Sequence, residues 1–206
     1  DTAGTVAKKF NVSTEALLAL NAIDEKKLKI GQTIKIPERR EAKNVKSIED
    51  AAKATGFSLD YLKSLEKMEE KHNKIYTDKN GVKTIGIGHA LDAGETGKYS
   101  GKTLTDTQIY TMLAQDILDR EQNIRAIIGD DAYKKMPQAM KDSVMDFVFN
   151  RGETVFENHP GFVSSLKSGD YSSAIAKMNV DYSVMKFKSS SELQKYINQF
   201  DDKRMF

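Results

Sequence analysis

The amino-acid sequence predicts an α+β chain that is mostly helical, with one small β-hairpin sheet and a small α/β module at the N-terminus. Three observations carry that expectation. Apolar residues recur at helical spacing over Leu62, Leu65 and Met68, over Ile109, Met112, Leu113, Ile117 and Leu118, and over Met140, Val144, Phe147 and Val148. Around Asp78-Lys79-Asn80-Gly81 the period falls to two, with Ile75 and Tyr76 before the turn and Val82, Thr84, Ile85 and Ile87 after it, the pattern of a hairpin. Near the N-terminus, two short helical patterns precede an alternating stretch that a proline ends.

In chain order, the first helical pattern runs through Thr5, Val6, Lys8 and Phe10, and Ser13 is placed to cap a second through Leu17, Leu18 and Leu20. Gly31-Gln32-Thr33-Ile34-Lys35-Ile36-Pro37 then alternates like a strand. Residues 38–46 are nearly all polar with both charge signs, and read as a linker with helical potential. Ser47 and Asp50, followed by Ala51, Ala52 and Ala54 up to Gly56, form a short capped helix. Ser58 caps the next, and Glu69 falls near its C-terminal end.

Beyond His89, residues 92–102 are rich in Gly, Thr and charge and are expected to be loop. Thr105 and Gln108 make a capping box that opens a long helix towards Ile128. Pro137 suits the first turn of the following helix, and 162–166, 171–178 and 192–200 are the remaining helical patterns. The domain boundaries expected from this reading are 1–38, a linker at 39–46, and 47–206.

Glu69, Asp78 and Thr84 are the candidate catalytic residues. The last carbonyls of a helix carry partial negative charge, and apolar cover would add a desolvation cost of the same sign, so the position of Glu69 favours the protonated acid. Asp78 lies in a polar turn that favours the ionised form. A two-residue Asn80-Gly81 turn would put Asp78 and Thr84 on opposite faces; a three-residue loop with Gly81 left-handed pairs Asp78 with Val82 and puts Thr84 on the same face. The second register brings carboxylate and hydroxyl together. One carboxyl that holds a proton and one that does not is the division of labour glycoside hydrolysis needs.

The string from Glu69 through Asp78 and Thr84 to Ile85-Gly86-Ile87-Gly88-His89 closely resembles the catalytic segment of the T-even phage lysozymes, glycoside hydrolase family 24. Gln115-Asp116, Phe149-Asn150-Arg151-Gly152-Glu153, and Gly161-Phe162 with Ser165-Leu166 match further on, so the resemblance spans 58–178. It implies a two-lobed lysozyme-like domain with the glycan in a cleft between hairpin lobe and helical lobe. It also implies that Glu69 is the acid, that Thr84 holds the attacking water beside Asp78, and that Ala90, Phe149, Asn150 and Ser165 contact substrate. His89, by the same resemblance, pairs with Asp116 in a structural role. Two departures stand out: Glu70 replaces a glycine beside the acid, and Asp181-Tyr182-Ser183-Val184-Met185-Lys186-Phe187-Lys188 replaces a tryptophan-rich segment with an arginine. Lys186 and Lys188 are the two candidates for the basic group near the acid.

The N-terminal stretch resembles a LysM module, through Asp1-Thr2, Ala7-Lys8-Lys9-Phe10, Val12-Ser13, Leu17, Asn21, Leu28, Gly31-Gln32 and Ile36-Pro37. LysM modules bind N-acetylglucosamine-containing glycans, which by position implies residues 1–4 and 21–24. The first strand of the family pattern has no counterpart in the sequence, which leaves the alternating segment without a ladder partner.

Composition narrows the rest. The 206 residues suit one domain of ordinary size plus a small module. Lys and Arg outnumber Asp and Glu by only 32 to 30, so no strong field points to nucleic acid. No run approaches the roughly 20 apolar residues of a membrane span. Zero cysteines exclude disulfides and thiolate chemistry, and three scattered histidines offer no metal cluster, so neither metal nor cofactor is expected. The expected partner is the glycan strand of peptidoglycan and the expected place of action the bacterial cell wall. The activity implied is a muramidase that inverts; a lytic transglycosylase and a non-catalytic wall-binding scaffold are the alternatives. A phage endolysin, a tail-associated lysin and a secreted effector would all carry these two modules. The chain opens at Asp1 without a methionine, so its true N-terminus is expected to lie upstream, as part of a longer polypeptide or a delivery complex, and the route of targeting is left open.

Overall fold

The computed structural model describes the chain except residues 1, 11, 13, 25–27, 30, 153–154 and 185–206. The expected Ser13 cap, Glu153 of the family motif, Lys186, Lys188 and the helical pattern at 192–200 lie outside the described residues. Among the described residues the chain is mostly helical with one three-stranded antiparallel sheet. It divides into two compact units, one of residues 40–119 and one of residues 1–39 with 120–206.

In the 40–119 unit, α3 (Ile48–Thr55) and α4 (Leu59–Glu69) pack together, and both start as the sequence predicts. Ser47 Oγ accepts from the Asp50 amide and Ser58 Oγ from the Tyr61 amide, both at 3.2 Å. Gly56, at φ +84°, ends α3 in the left-handed conformation that suits glycine. Leu62 and Leu65 are fully buried, the inward stripe of α4. The sheet follows, with β1 (His72–Thr77), β2 (Lys83–Gly86) and β3 (His89–Ala90) in the order β1-β2-β3. Tyr76 pairs with Thr84 and Thr77 with Lys83, and the Asp78 amide donates to the Val82 carbonyl at 2.9 Å. The loop is therefore the three-residue one, with Gly81 at φ +82°.

Residues 92–102 differ from the expected loop: α5 occupies Ala93–Tyr99. Asp92 closes a capping box with Glu95, whose amide donates to Asp92 Oδ1 at 2.8 Å, and the Thr96 hydroxyl donates to the Asp92 carbonyl. These local bonds outweigh the poor helix propensity of the two glycines in the segment. Helix α6 (Asp106–Ile128) begins at the expected Thr105/Gln108 box and reaches Ile128 as the apolar pattern implies. Its Thr111 and Gln115 side chains accept from the Val45 and Ala42 amides at 3.0 and 2.9 Å, so residues 42–45 are bound along the helix without being helical themselves.

The other unit contains α1 (Ala3–Phe10), α2 (Thr14–Asn21), α7 (Asp130–Lys135), α8 (Gln138–Arg151), α9 (Val155–Asn158), α10 (Pro160–Ser168) and α11 (Tyr171–Val184). The aromatic core stacks Phe162 edge-on to Phe147 at 5.4 Å and face-on to Phe156 at 6.2 Å. In the N-terminal part, Ala3, Ala7 and Leu17 form a small buried cluster with Val6, Val12, Leu18, Leu28, Ile34 and Ile36 against it. The alternating segment forms no ladder among the described residues. In place of a partner strand, the Asn21 side-chain amide donates to the Lys35 carbonyl at 2.8 Å and accepts from the Lys35 amide at 2.7 Å. One primary amide thus reproduces the paired bonds that a neighbouring strand would make.

Candidate active site

Glu69 is the last residue of α4, and Glu70 caps the helix with φ +58° and ψ 153°. That conformation is one that glycine occupies and other residues avoid. It turns the chain sharply into β1 and leaves the half-buried Glu69 side chain lying across Gly88: a β-carbon built on Gly88 would sit 2.9 Å from Glu69 Oε2.

Asp78 lies at the far end of β1. Its Oδ1 accepts from the Asn80 and Val82 amides, both at 2.8 Å, so the carboxylate fastens the turn that carries it. The pairing of Asp78 with Val82 and of Tyr76 with Thr84 puts all four side chains on one face of the hairpin. Thr84 is buried, and its hydroxyl donates to the Val82 carbonyl at 3.3 Å.

Tyr76 lies opposite Thr84 on the same hairpin face. Its phenol is held above the ordinary range, first by burial and then by the negative charges of Glu69, Asp78 and Glu70, with the Thr84 hydroxyl opposing. The Tyr76 ring lies 4.0 Å from that of His72. Sequence reading missed Tyr76 because a tyrosine in a strand is ordinarily only a packing residue; its pairing with Thr84 is visible only once the register is fixed.

His89 opens β3. Its Nδ1 lies 2.9 Å from Asp116 on α6, and its Nε2 lies 3.4 Å from Glu95 on α5. Burial opposes the imidazolium charge, but the hydrogen bond and charge of Asp116, joined by those of Glu95, prevail and raise the His89 pKa. Histidine here joins three elements and has no contact to Glu69 or Asp78 among those described. Ala90, next along β3, is exposed.

Residues 66–199 match the phage lysozyme family, a stretch longer than half of the chain that includes Glu69, Asp78, Thr84 and His89. The chain belongs to the phage lysozyme family. Residues 1–37 match the LysM domain, the stretch in which Asn21 binds Lys35. Among curated relatives, the endolysin of Salmonella phage P22 is 28% identical over 92 residues, covering 45% of this chain and 60% of the endolysin. The chain thus spans about 60% of that endolysin's length.

Three substrate-contact residues implied by the phage lysozyme resemblance lie in the other unit. Phe149, half-buried on α8, has the Arg120 guanidinium 4.5 Å above its ring, a cation held on an aromatic face. Asn150, next on the helix, is exposed and donates back to the Asp146 carbonyl at 2.8 Å. Ser165 on α10 is buried; its hydroxyl donates to the Gly161 carbonyl at 3.0 Å and accepts from Lys177 Nζ at 3.1 Å.

Proposed function

We propose that the protein is an endolysin-type muramidase that hydrolyses the β-1,4 bond between N-acetylmuramic acid and N-acetylglucosamine in peptidoglycan, and so acts on the bacterial cell wall. The observation that carries this reading is the arrangement of Asp78 and Thr84 on one hairpin face, with Glu69 entering the same hairpin from the end of α4.

Glu69 gives its proton to the glycosidic oxygen as the bond to the anomeric carbon breaks. Asp78, whose Oδ1 is taken by two backbone donors, takes one proton from the attacking water, and the Thr84 oxygen accepts a hydrogen bond from the other O–H, which stays on that oxygen as the product hydroxyl. The water is left with a lone pair aimed at the anomeric carbon on the face opposite the leaving group. Inversion follows if the carboxyls stand about 6.5–9.5 Å apart, leaving room for that water. Ala90, Phe149, Asn150 and Ser165 are the residues proposed to contact the glycan. The module at residues 1–37 raises the local concentration of the enzyme on the wall without entering the chemistry.

A lytic transglycosylase needs the acid but no water-binding carboxylate, so the Asp78 and Thr84 pair favours hydrolysis. Mass spectrometry of muropeptides released from sacculi tests this directly. The wild type is expected to release reducing ends, and Glu69→Gln to lose on the order of 10²- to 10⁴-fold in rate with its circular dichroism unchanged. Anhydromuramic ends would reassign the reaction to a transglycosylase, and a fully active Glu69→Gln would refute the mechanism.

A further inference from the structure

We propose that Gly88 is a positioning residue for Glu69, its bare α-carbon being the surface on which the Glu69 carboxyl is seated. This rests on the muramidase reading and deepens it.

A β-carbon built on Gly88 would lie 2.9 Å from Glu69 Oε2 and 3.1 Å from both Cδ and Cγ. These distances are well inside van der Waals contact, so the acid occupies the space that any other residue at 88 would claim. Gly88 lies in the turn between β2 and β3, and the residues on either side of it are fixed. Ile87 is 1% exposed, and His89 is paired to Ile85 in the sheet and bound to Asp116 at 2.9 Å. Gly88 therefore has little freedom to retreat. The atoms it would strike are the far end of a flexible side chain, and it is this end that gives way. A methyl group at 88 leaves the fold standing and moves the carboxyl off its seat. A shift of about 1 Å in a catalytic group costs on the order of 10²-fold in rate.

Gly88 also has φ +70°, so alanine there carries a backbone cost unrelated to Glu69. Gly101 supplies the control: it too has φ +70°, and a β-carbon built on it meets nothing within 4 Å. The experiment compares Gly88→Ala, Gly101→Ala and wild type by urea unfolding, by kcat and KM on peptidoglycan, and by NMR titration of the ¹³C-labelled Glu69 carboxyl.

The two variants are expected to lose similar stability. Gly101→Ala keeps the wild-type kcat, whereas Gly88→Ala falls by roughly 100-fold in kcat with KM unchanged. The Glu69 carboxyl titration moves only in Gly88→Ala. A folded Gly88→Ala with wild-type kcat and an unmoved titration would overturn the proposal. So would a Gly88→Ala that fails to fold while Gly101→Ala folds, because then the backbone and not the acid has yielded. A Glu69→Gln variant with full activity would sink the muramidase reading, while the carboxyl titration, which needs no turnover, would still decide whether Gly88 seats the acid.

Discussion

Glu70 occupies φ +58° and ψ 153° with a full side chain, where the phage lysozyme resemblance has glycine. Such a conformation costs a non-glycine residue about 1–3 kcal/mol. Its exposed ion pair with His72, at 3.5 Å, returns little of this, since surface pairs contribute at most about 1 kcal/mol. Glu70→Gly is expected to stabilise the protein by about 1 kcal/mol after the added chain entropy of glycine is counted. An unchanged or lower urea midpoint for that variant would show the backbone there to be unstrained. At this scale the sequence was legible in part. Ser58 and the Leu62, Leu65 stripe are enough to place Glu69 at a helix end, because capping and periodicity are local. The seat at Gly88 was not legible, since it depends on two segments meeting in space.

Among the elements, the junction of β3, α5 and α6 at His89 depends on pH. The His89 pKa is raised in the folded state, so the stabilisation is fully present below the unfolded value of about 6.5 and is lost as pH rises through the folded value. Asp116→Asn is expected to lower stability by about 2 kcal/mol at pH 5.5, as a bond to a charged partner does, and to flatten the dependence above pH 6.5. Urea unfolding series of the two proteins at several pH values measure both, and no loss at acid pH would count against the role of the pair. Helix α5 itself escaped the sequence reading. Gly94 and Gly97 suggest loop, yet Asp92 and Glu95 were already spaced as a capping box. The capping-box bonds outweigh the low helix propensity of the two glycines.

For the molecule as a whole, the mostly helical class and the single hairpin sheet followed from periodicity, because long amphipathic patterns survive any tertiary context. The strand expected at residues 31–37 did not form a ladder among the described residues, since a strand's identity lies in its partner and not in its own alternation. Asn21 holds that segment instead, which makes one side chain the support of the module at residues 1–37. Asn21→Ala is expected to speed hydrogen exchange of the Lys35 amide by roughly tenfold or more, given about 1 kcal/mol for each of two bonds. On the proposed function, the same variant clears intact sacculi more slowly while cleaving short soluble glycans at the wild-type rate, because only the former uses wall attachment. Equal losses on both substrates would place Asn21 outside that role.

On the proposed function, Asp78 has a double duty, in the turn and in the chemistry. Both amides it accepts from address one oxygen, Oδ1, and asparagine carries an equivalent oxygen at the same place. A single base change from aspartate to asparagine would therefore preserve the hairpin while silencing its charge. On the proposed function, Asp78→Asn is expected to keep its hold on the wall while losing the cut, so that one substitution would turn a cutter into an adhesive.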